Sequence, residues 1–269
     1  MAYQQKIGTD NPGVIVLLID QSASMSDPAS DGKPKADHAA LAVNRVIYEI
    51  QAASQAGAAI KPRCMVGIVG YGPQVGAVAS GMIDELAANP KRWDKLKRKV
   101  DDGAGGLVEV DFNMPIWVDP VADNGTPMTE AFAEAFRVLS NGWLPSHPDS
   151  FPPIIINITD GEPNDATTAA AEARRLMGLQ TSDGNALLFN VHVSSNRNAG
   201  ETALPSSDAG LADDYARFLF GISSPLPDAM MEAAGRVGFA PQPGARGFIF
   251  NATPESLVKL LTFGSVGLR

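Results

Sequence analysis

One cysteine and three histidines are all the thiol and imidazole that this 269-residue chain offers. A single cysteine excludes an internal disulfide framework, and Cys64, set in an apolar strand pattern, reads as a small buried hydrophobe. Zinc sites built from closely spaced His and Cys are excluded on the same count. His38 begins a helix, His147 lies in a Ser-His-Pro loop and His192 falls within a strand, so each reads as a satisfied polar or core residue. Gly-x-Ser-x-Gly is absent, which leaves a serine hydrolase without its nucleophile motif or a placed base. Basic charge is also short: 21 Lys and Arg against 30 Asp and Glu give a net charge of −9, which opposes non-specific nucleic-acid binding. No apolar run approaches the roughly 20 residues of a membrane-spanning helix. Met1 to Pro12 is polar and unlike a signal peptide, so the expected location is cytoplasmic. Internal repeats, low-complexity tracts and flexible linkers are absent as well.

What is there begins at residues 14–24, Val-Ile-Val-Leu-Leu-Ile-Asp-Gln-Ser-Ala-Ser. The apolar run is β-branched and short, the mark of a strand buried on both faces. It ends in Asp20, with hydroxyls following at Ser22 and Ser24. Parallel α/β sheets bind ligands just beyond the carboxyl ends of their strands, and hard oxygen donors placed there suit a divalent cation such as Mg²⁺.

Strands and helices alternate along the rest of the chain, which predicts an α/β fold with a mainly parallel central sheet, one antiparallel edge strand and helices on both faces. Strands are expected at 64–69, 75–79, 154–158, 187–193 and 247–251. Helices are expected at 36–56, 128–139, 167–177, 212–220, 228–237 and 254–263, the last with Pro254 at its entry. A 12-residue N-terminal tail precedes a single domain over 13–269. Residues 81–122 read as an insertion packed on the main sheet, with short helices at 82–88 and 90–100, a Gly-rich turn and an extended stretch from Leu107 to Val118. The run Lys91 to Lys99 holds six basic residues in nine and reads as a solvated helix face, with Trp93 and Leu96 turned inward, or else as a docking patch. Gly103-Ala104-Gly105-Gly106 is a turn and not a phosphate loop, since no Lys-Ser/Thr follows it.

Three places put oxygen ligands at strand ends or just beyond. They are Asp20, Ser22 and Ser24; Thr126, in Asn124-Gly125-Thr126-Pro127 before a helix; and Asp160, in Thr159-Asp160-Gly161-Glu162 after an apolar strand. In a parallel sheet these converge on one edge. Two carboxylates balance a divalent charge, three hydroxyls add neutral donors, and room remains for waters or one outside ligand. Haloacid-dehalogenase phosphatases also end their first strand in Asp but need a second Asp two residues on. Here that position is Ser22, which cannot act as the acid and base.

The order Asp20-x-Ser22-x-Ser24, Thr126 before a helix and Asp160-Gly161 after a buried strand resembles the metal-ion-dependent adhesion site of the von Willebrand factor type A fold. The resemblance runs from about residue 13 to the end, with longer loops at 81–122 and 196–245. Thr-Pro-Met and Asp-Gly-Glu around the last two ligands resemble the stand-alone bacterial type. It implies a metal-dependent protein-interaction module and not an enzyme, with Mg²⁺ bound (Mn²⁺ or Ca²⁺ as alternatives) and one coordination position left for a partner's acidic side chain. It also implies a link to bacterial Ser/Thr kinase and phosphatase signalling, and a last helix, Leu257 to Phe263, that moves on ligation.

Carboxylates crowd the same loops: Asp27, Asp31, Asp123, Glu162 and Asp165. Such a rim repels a broadly acidic partner, so the expected one offers a single carboxylate from a polar or basic surface. Two other readings stay open: a metal-assisted hydrolase or phosphatase with Glu162 or His38 as base, and a scaffold subunit whose metal only braces loops.

Overall fold

Strand β1, Gly13–Asp20, is buried along its whole length. Its side chains divide by alternation, as a pleated strand requires. Ile15, Leu17 and Ile19 enter one core, and Val14, Val16 and Leu18 enter the other. A strand with no polar face is stable only between two helical layers, and both are present. The structure is a computed structural model that describes residues 2–29, 31–101, 106–161, 163–193, 200–211, 213–253, 255–256 and 259–260.

Apart from two small hairpins of two-residue strands (55–60 and 180–185), the further strands described are β2 (Cys64–Tyr71), β3 (Val75–Met82), β4 (Arg92–Asp101), β5 (Leu107–Ile116), β6 (Ile154–Thr159), β7 (Leu187–His192), β8 (Thr202–Ala203) and β9 (Phe248–Phe250). Seven of them form the central sheet in the order β8-β9-β7-β6-β1-β2-β3. The five inner strands are parallel, while β3 and β8 are antiparallel to their neighbours. The sequence predicts one antiparallel edge. The second, β8, is two residues long and lies in a polar loop without periodicity, so no pattern announces it.

Helices α1 (Lys35–Ala53), α2 (Ile83–Ala88), α3 (Met128–Arg137), α4 (Ala166–Met177), α5 (Asp214–Gly221) and α6 (Asp228–Arg236) cover the sheet. Buried side chains of α1, α2 and α6 join the core of Ile15 and Leu17, and those of α3, α4 and α5 join that of Val16 and Leu18. The chain therefore leaves β1 across one face and reaches β6 from the other. The crevice between β1 and β6 is the point where strand order reverses, and their carboxyl ends carry Asp20 and Thr159-Asp160.

Residues 92–100 correct the helix expected over 90–100. They belong to β4, which pairs antiparallel with β5 from Arg92↔Ile116 to Asp101↔Leu107. Alternation places Leu96 beside Phe112, whose ring meets Tyr48 of α1 edge-on at 5.1 Å. Trp93 falls on the opposite face and is 58% exposed, against the expectation that it turns inward. The hairpin packs against α1, and the segment just after it is tied there as well: Asn44 of α1 donates to Val118 O at 2.8 Å and accepts from the Trp117 and Val118 amides at 2.8 and 3.0 Å.

The N-terminal segment is docked, not loose. Gln4 and Gln5 donate backbone N–H groups to the Asp183 carboxylate at 2.8 and 3.0 Å, and Ile7 is buried in the core. Cys64 is fully buried, and burial pushes its thiol up to about 12, as expected of an inert residue. No helix among the described residues is long and apolar enough to cross a membrane. The tip of the glycine turn (102–105), Glu162 and most of the expected last helix lie outside the described residues.

Candidate metal centre

Asp20 closes β1 and is completely buried. Its Oδ1 accepts the Ser22 amide at 2.9 Å, an Asx turn that swings the chain out of the strand. Its Oδ2 accepts the Thr159 hydroxyl at 2.6 Å, so the two central strands are tied together at the crevice. Thr159 Oγ1 in turn accepts the Gly161 amide at 2.9 Å. The loop after Asp160 can turn there because Gly161 sits at φ +93°, where a Cβ would lie 2.9 Å from Tyr215 and 3.0 Å from the His192 ring.

The hydroxyls of Ser22, buried, and Ser24, half-buried, face each other at 3.1 Å. Thr126 arrives on a separate loop that is stitched to the first: Asp123 N–H donates to Gln21 O and Ala23 N–H to Asn124 O, both at 2.7 Å. Asn124 supports that path in the left-handed region at φ +63°, a conformation Asn tolerates well. Asn164, just past Asp160, clamps Thr126 from the third loop, accepting its amide at 3.0 Å and donating to its carbonyl at 3.1 Å. All five candidate residues thus stand on three interlocked loops at one sheet edge.

Asp160 is nearly buried, and two residues missed in the sequence reading hold it. His192, on β7, places Nε2 2.7 Å from the Asp160 carbonyl, where a ring N–H donates, and stacks its ring on Phe250 at 5.0 Å. Lys35, the first residue of α1, reaches Asp160 Oδ2 at 3.3 Å and Asp27 Oδ2 at 3.8 Å. Asp160 Oδ1 is buried and has no hydrogen-bond partner among the described residues. Thr159 and Asn164 were missed too. Thr159 could have been found as the last inward position of its strand, whereas Lys35 resembles any helix-initial lysine until the loop closes over it.

The electrostatics point the same way. Burial raises the Asp20 carboxyl from its ordinary value to about 6, against hydrogen bonds from Ser22 and Thr159 that lower it, and the charge of Asp160 raises it further. Two buried carboxylates share a single buried lysine, so positive charge is still short in the crevice, and one of their oxygens has no partner among the described residues. With Ser22, Ser24 and Thr126 beside them, the donor set is all oxygen and fits a hard divalent cation. Among the described residues no three His, Cys, Asp or Glu side chains cluster to hold a metal, so a thiolate- or imidazole-rich centre is not what these loops build.

The acidic rim is thinner than the sequence suggests. Asp27 meets Lys35 and Asp31 meets His38 at 2.8 Å, so both carry a partner. Asp165 caps α4 by accepting from Thr167 and Thr168 amides at 2.8 and 3.2 Å, bonds that hold its carboxyl below the usual range. Asp123 is exposed. Of the two bases weighed for hydrolysis, His38 pairs through Nε2 with Asp31 at 2.8 Å, and Glu162 lies outside the described residues.

No protein-family profile matches the chain, and no curated protein sequence does either. Among solved structures, the chain is similar to manganese-loaded TRAP protein of Plasmodium vivax, with 15% identity, a TM-score of 0.43, and coverage of 88% of this chain and 75% of that one. It is similar to proximal thread matrix protein 1 of the mussel byssus, with a zinc-occupied MIDAS motif, at 14% identity and TM-score 0.42, covering 80% and 42%. The conserved hypothetical protein BatB of Bacteroides thetaiotaomicron follows at 17% identity and TM-score 0.39, covering 67% and 66%. The chain therefore spans less than two thirds of the length of two of these three. Likenesses this distant decide nothing about the crevice, which rests on its own geometry.

Proposed function

We propose that this chain is a von Willebrand factor type A-like interaction module that binds a partner's carboxylate through a divalent cation, Mg²⁺ by preference, held at the crevice between β1 and β6. The observation that carries the reading is the buried Asp160 Oδ1, without a hydrogen-bond partner among the described residues, beside a fully buried Asp20. A natural fold rarely leaves such an atom without a partner, and a cation bound by Ser22, Ser24, Thr126 and Asp160, with Asp20 in or behind the shell, supplies one. When bound, such an ion acts as a Lewis acid toward a ligand oxygen. The protein's own part is to fix the donors: Thr159 and the Ser22 amide orient Asp20, Lys35 turns Asp160, and Asn164 sets Thr126.

The link to kinase and phosphatase signalling rests on the sequence resemblance alone, and a cytoplasmic location rests on sequence composition alone. Thermal melts test the ion: Mg²⁺ should raise the midpoint, EDTA should reverse the rise, and Asp20→Ala should lose it. No Mg²⁺-dependent shift in the wild type sinks the metal centre. Robust Mg²⁺- or Mn²⁺-dependent phosphatase or esterase turnover that Asp160→Ala abolishes overturns the assignment as a binder.

A further inference from the structure

Lys35 is an unusual neighbour for a metal centre. A cation of the protein's own stands in direct contact with one of the two carboxylates proposed to neutralise the ion. Its side chain is 6% exposed and that of Asp160 is 7%, so water screens their interaction little. The Asp27 carboxylate on its outer side is 60% exposed and screened by solvent. The loop that carries Lys35 is closed on itself by a Pro28–Pro34 bridge and by the Lys35 amide donating to Asp27 O at 3.0 Å. The backbone at the foot of Lys35 is thereby fixed, and its ammonium is held at the buried end by Asp160 and at the outer end by Asp27.

We propose that Lys35 is a positioning residue that makes the metal centre selective for anionic ligands. The inference rests on the metal-binding reading above and deepens it. By holding Asp160 Oδ2, the ammonium leaves Oδ1 as the oxygen turned to the ion, the role a hydrogen-bonded neighbour commonly plays for a ligating carboxylate. By cancelling one of the two buried negative charges, it leaves a divalent ion with about one unit of positive charge unmatched by buried protein groups. A monoanionic carboxylate completes that balance in a water-poor crevice, whereas a neutral ligand does not. Lys35 thus lowers the protein's affinity for the bare cation and raises the loaded centre's affinity for an anion.

The test uses Mn²⁺ as the ion, followed by electron paramagnetic resonance and water-proton relaxation, and acetate as the anion probe. Lys35→Gln retains an N–H donor for Asp160 Oδ2 but removes the charge. It should bind Mn²⁺ about tenfold more tightly than wild type in the absence of acetate, while its Mn²⁺-loaded form binds acetate at least about threefold more weakly. Lys35→Arg keeps the charge and should restore both affinities toward wild type. A merely structural lysine would instead give Lys35→Gln a weaker Mn²⁺ affinity and no change toward acetate, and that result overturns the proposal. The wild type alone supplies a further check that depends on no variant: the Mn²⁺-loaded protein should bind acetate about tenfold more tightly than acetamide, and equal affinities overturn the proposal. If the wild type binds no Mn²⁺ at all, the metal-centre reading fails and takes this one with it. If it binds Mn²⁺ but ignores the charge at position 35, only the present inference fails.

Discussion

Two lysine–carboxylate pairs in this molecule have nearly the same length and opposite surroundings. Lys35 and Asp160 meet at 3.3 Å in the crevice, with side chains 6% and 7% exposed. Lys97 and Glu109 meet at 3.6 Å across the β4–β5 hairpin, with side chains 69% and 54% exposed. Distance alone would rank them together. Burial separates them: water screens the hairpin pair and offers both ends other partners, while the crevice pair has few substitutes. Three of the six basic residues at 91–99 stand in such exposed pairs: Lys97 with Glu109, Lys91 with Asp119 at 3.3 Å, and Arg92 with both Asp94 and Asp119.

The comparison breaks most visibly at Asp160. Asp160→Asn leaves Lys35 buried beside a neutral group and should destabilise the protein by about 3 kcal/mol in denaturant melts, besides weakening Mg²⁺ binding. An unchanged melting curve would mean that the crevice pair is as dispensable as a surface one. Gly161→Ala comes next. A methyl group at φ +93°, 2.9 Å from Tyr215, should cost about 2 kcal/mol and distort the loop that presents Asp160.

Acidification probes the same burial with a smaller effect. The Asp20 carboxyl stands at about 6 in the metal-free fold against 3.8 ordinarily, so protons compete with the ion. Mg²⁺ affinity by calorimetry should fall about tenfold from pH 7 to pH 5. For the metal-free protein the sign reverses. A raised folded-state value means that the protonated carboxyl favours the fold; this contribution is complete below 3.8 and is lost as pH rises through about 6. The smallest effect belongs to the hairpin, where Glu109→Gln should change stability by less than about 0.5 kcal/mol. A loss as large as that of Asp160→Asn would refute the contrast.

The same two regions divide what could be read from the chain. The placement of Asp20, Ser22, Ser24, Thr126 and Asp160 on neighbouring loops was legible because each stands at or near the end of a strongly apolar strand or the start of a helix, signals local in sequence. The parallel sheet was legible for the same reason: Val14–Ile19 and Ile154–Ile158 admit only a doubly covered strand. The hairpin was not. Lys91 to Lys99 has no apolar period of its own, and what makes it a strand is pairing with residues up to Ile116, a contact between segments that neither one encodes alone. Lys35 was missed for a related reason, since its burial is created by a loop closure and by Asp160, 125 residues away.

The most direct measurement is an anomalous-scattering map from crystals soaked in Mn²⁺. The account predicts one strong peak at the crevice, within about 2.2 Å of the Ser22 and Ser24 hydroxyl oxygens and flanked by Thr126 and Asp160, with a remaining position filled by water or an anion. A map with no peak there, or with its manganese bound elsewhere while these five residues keep to themselves, would contradict it.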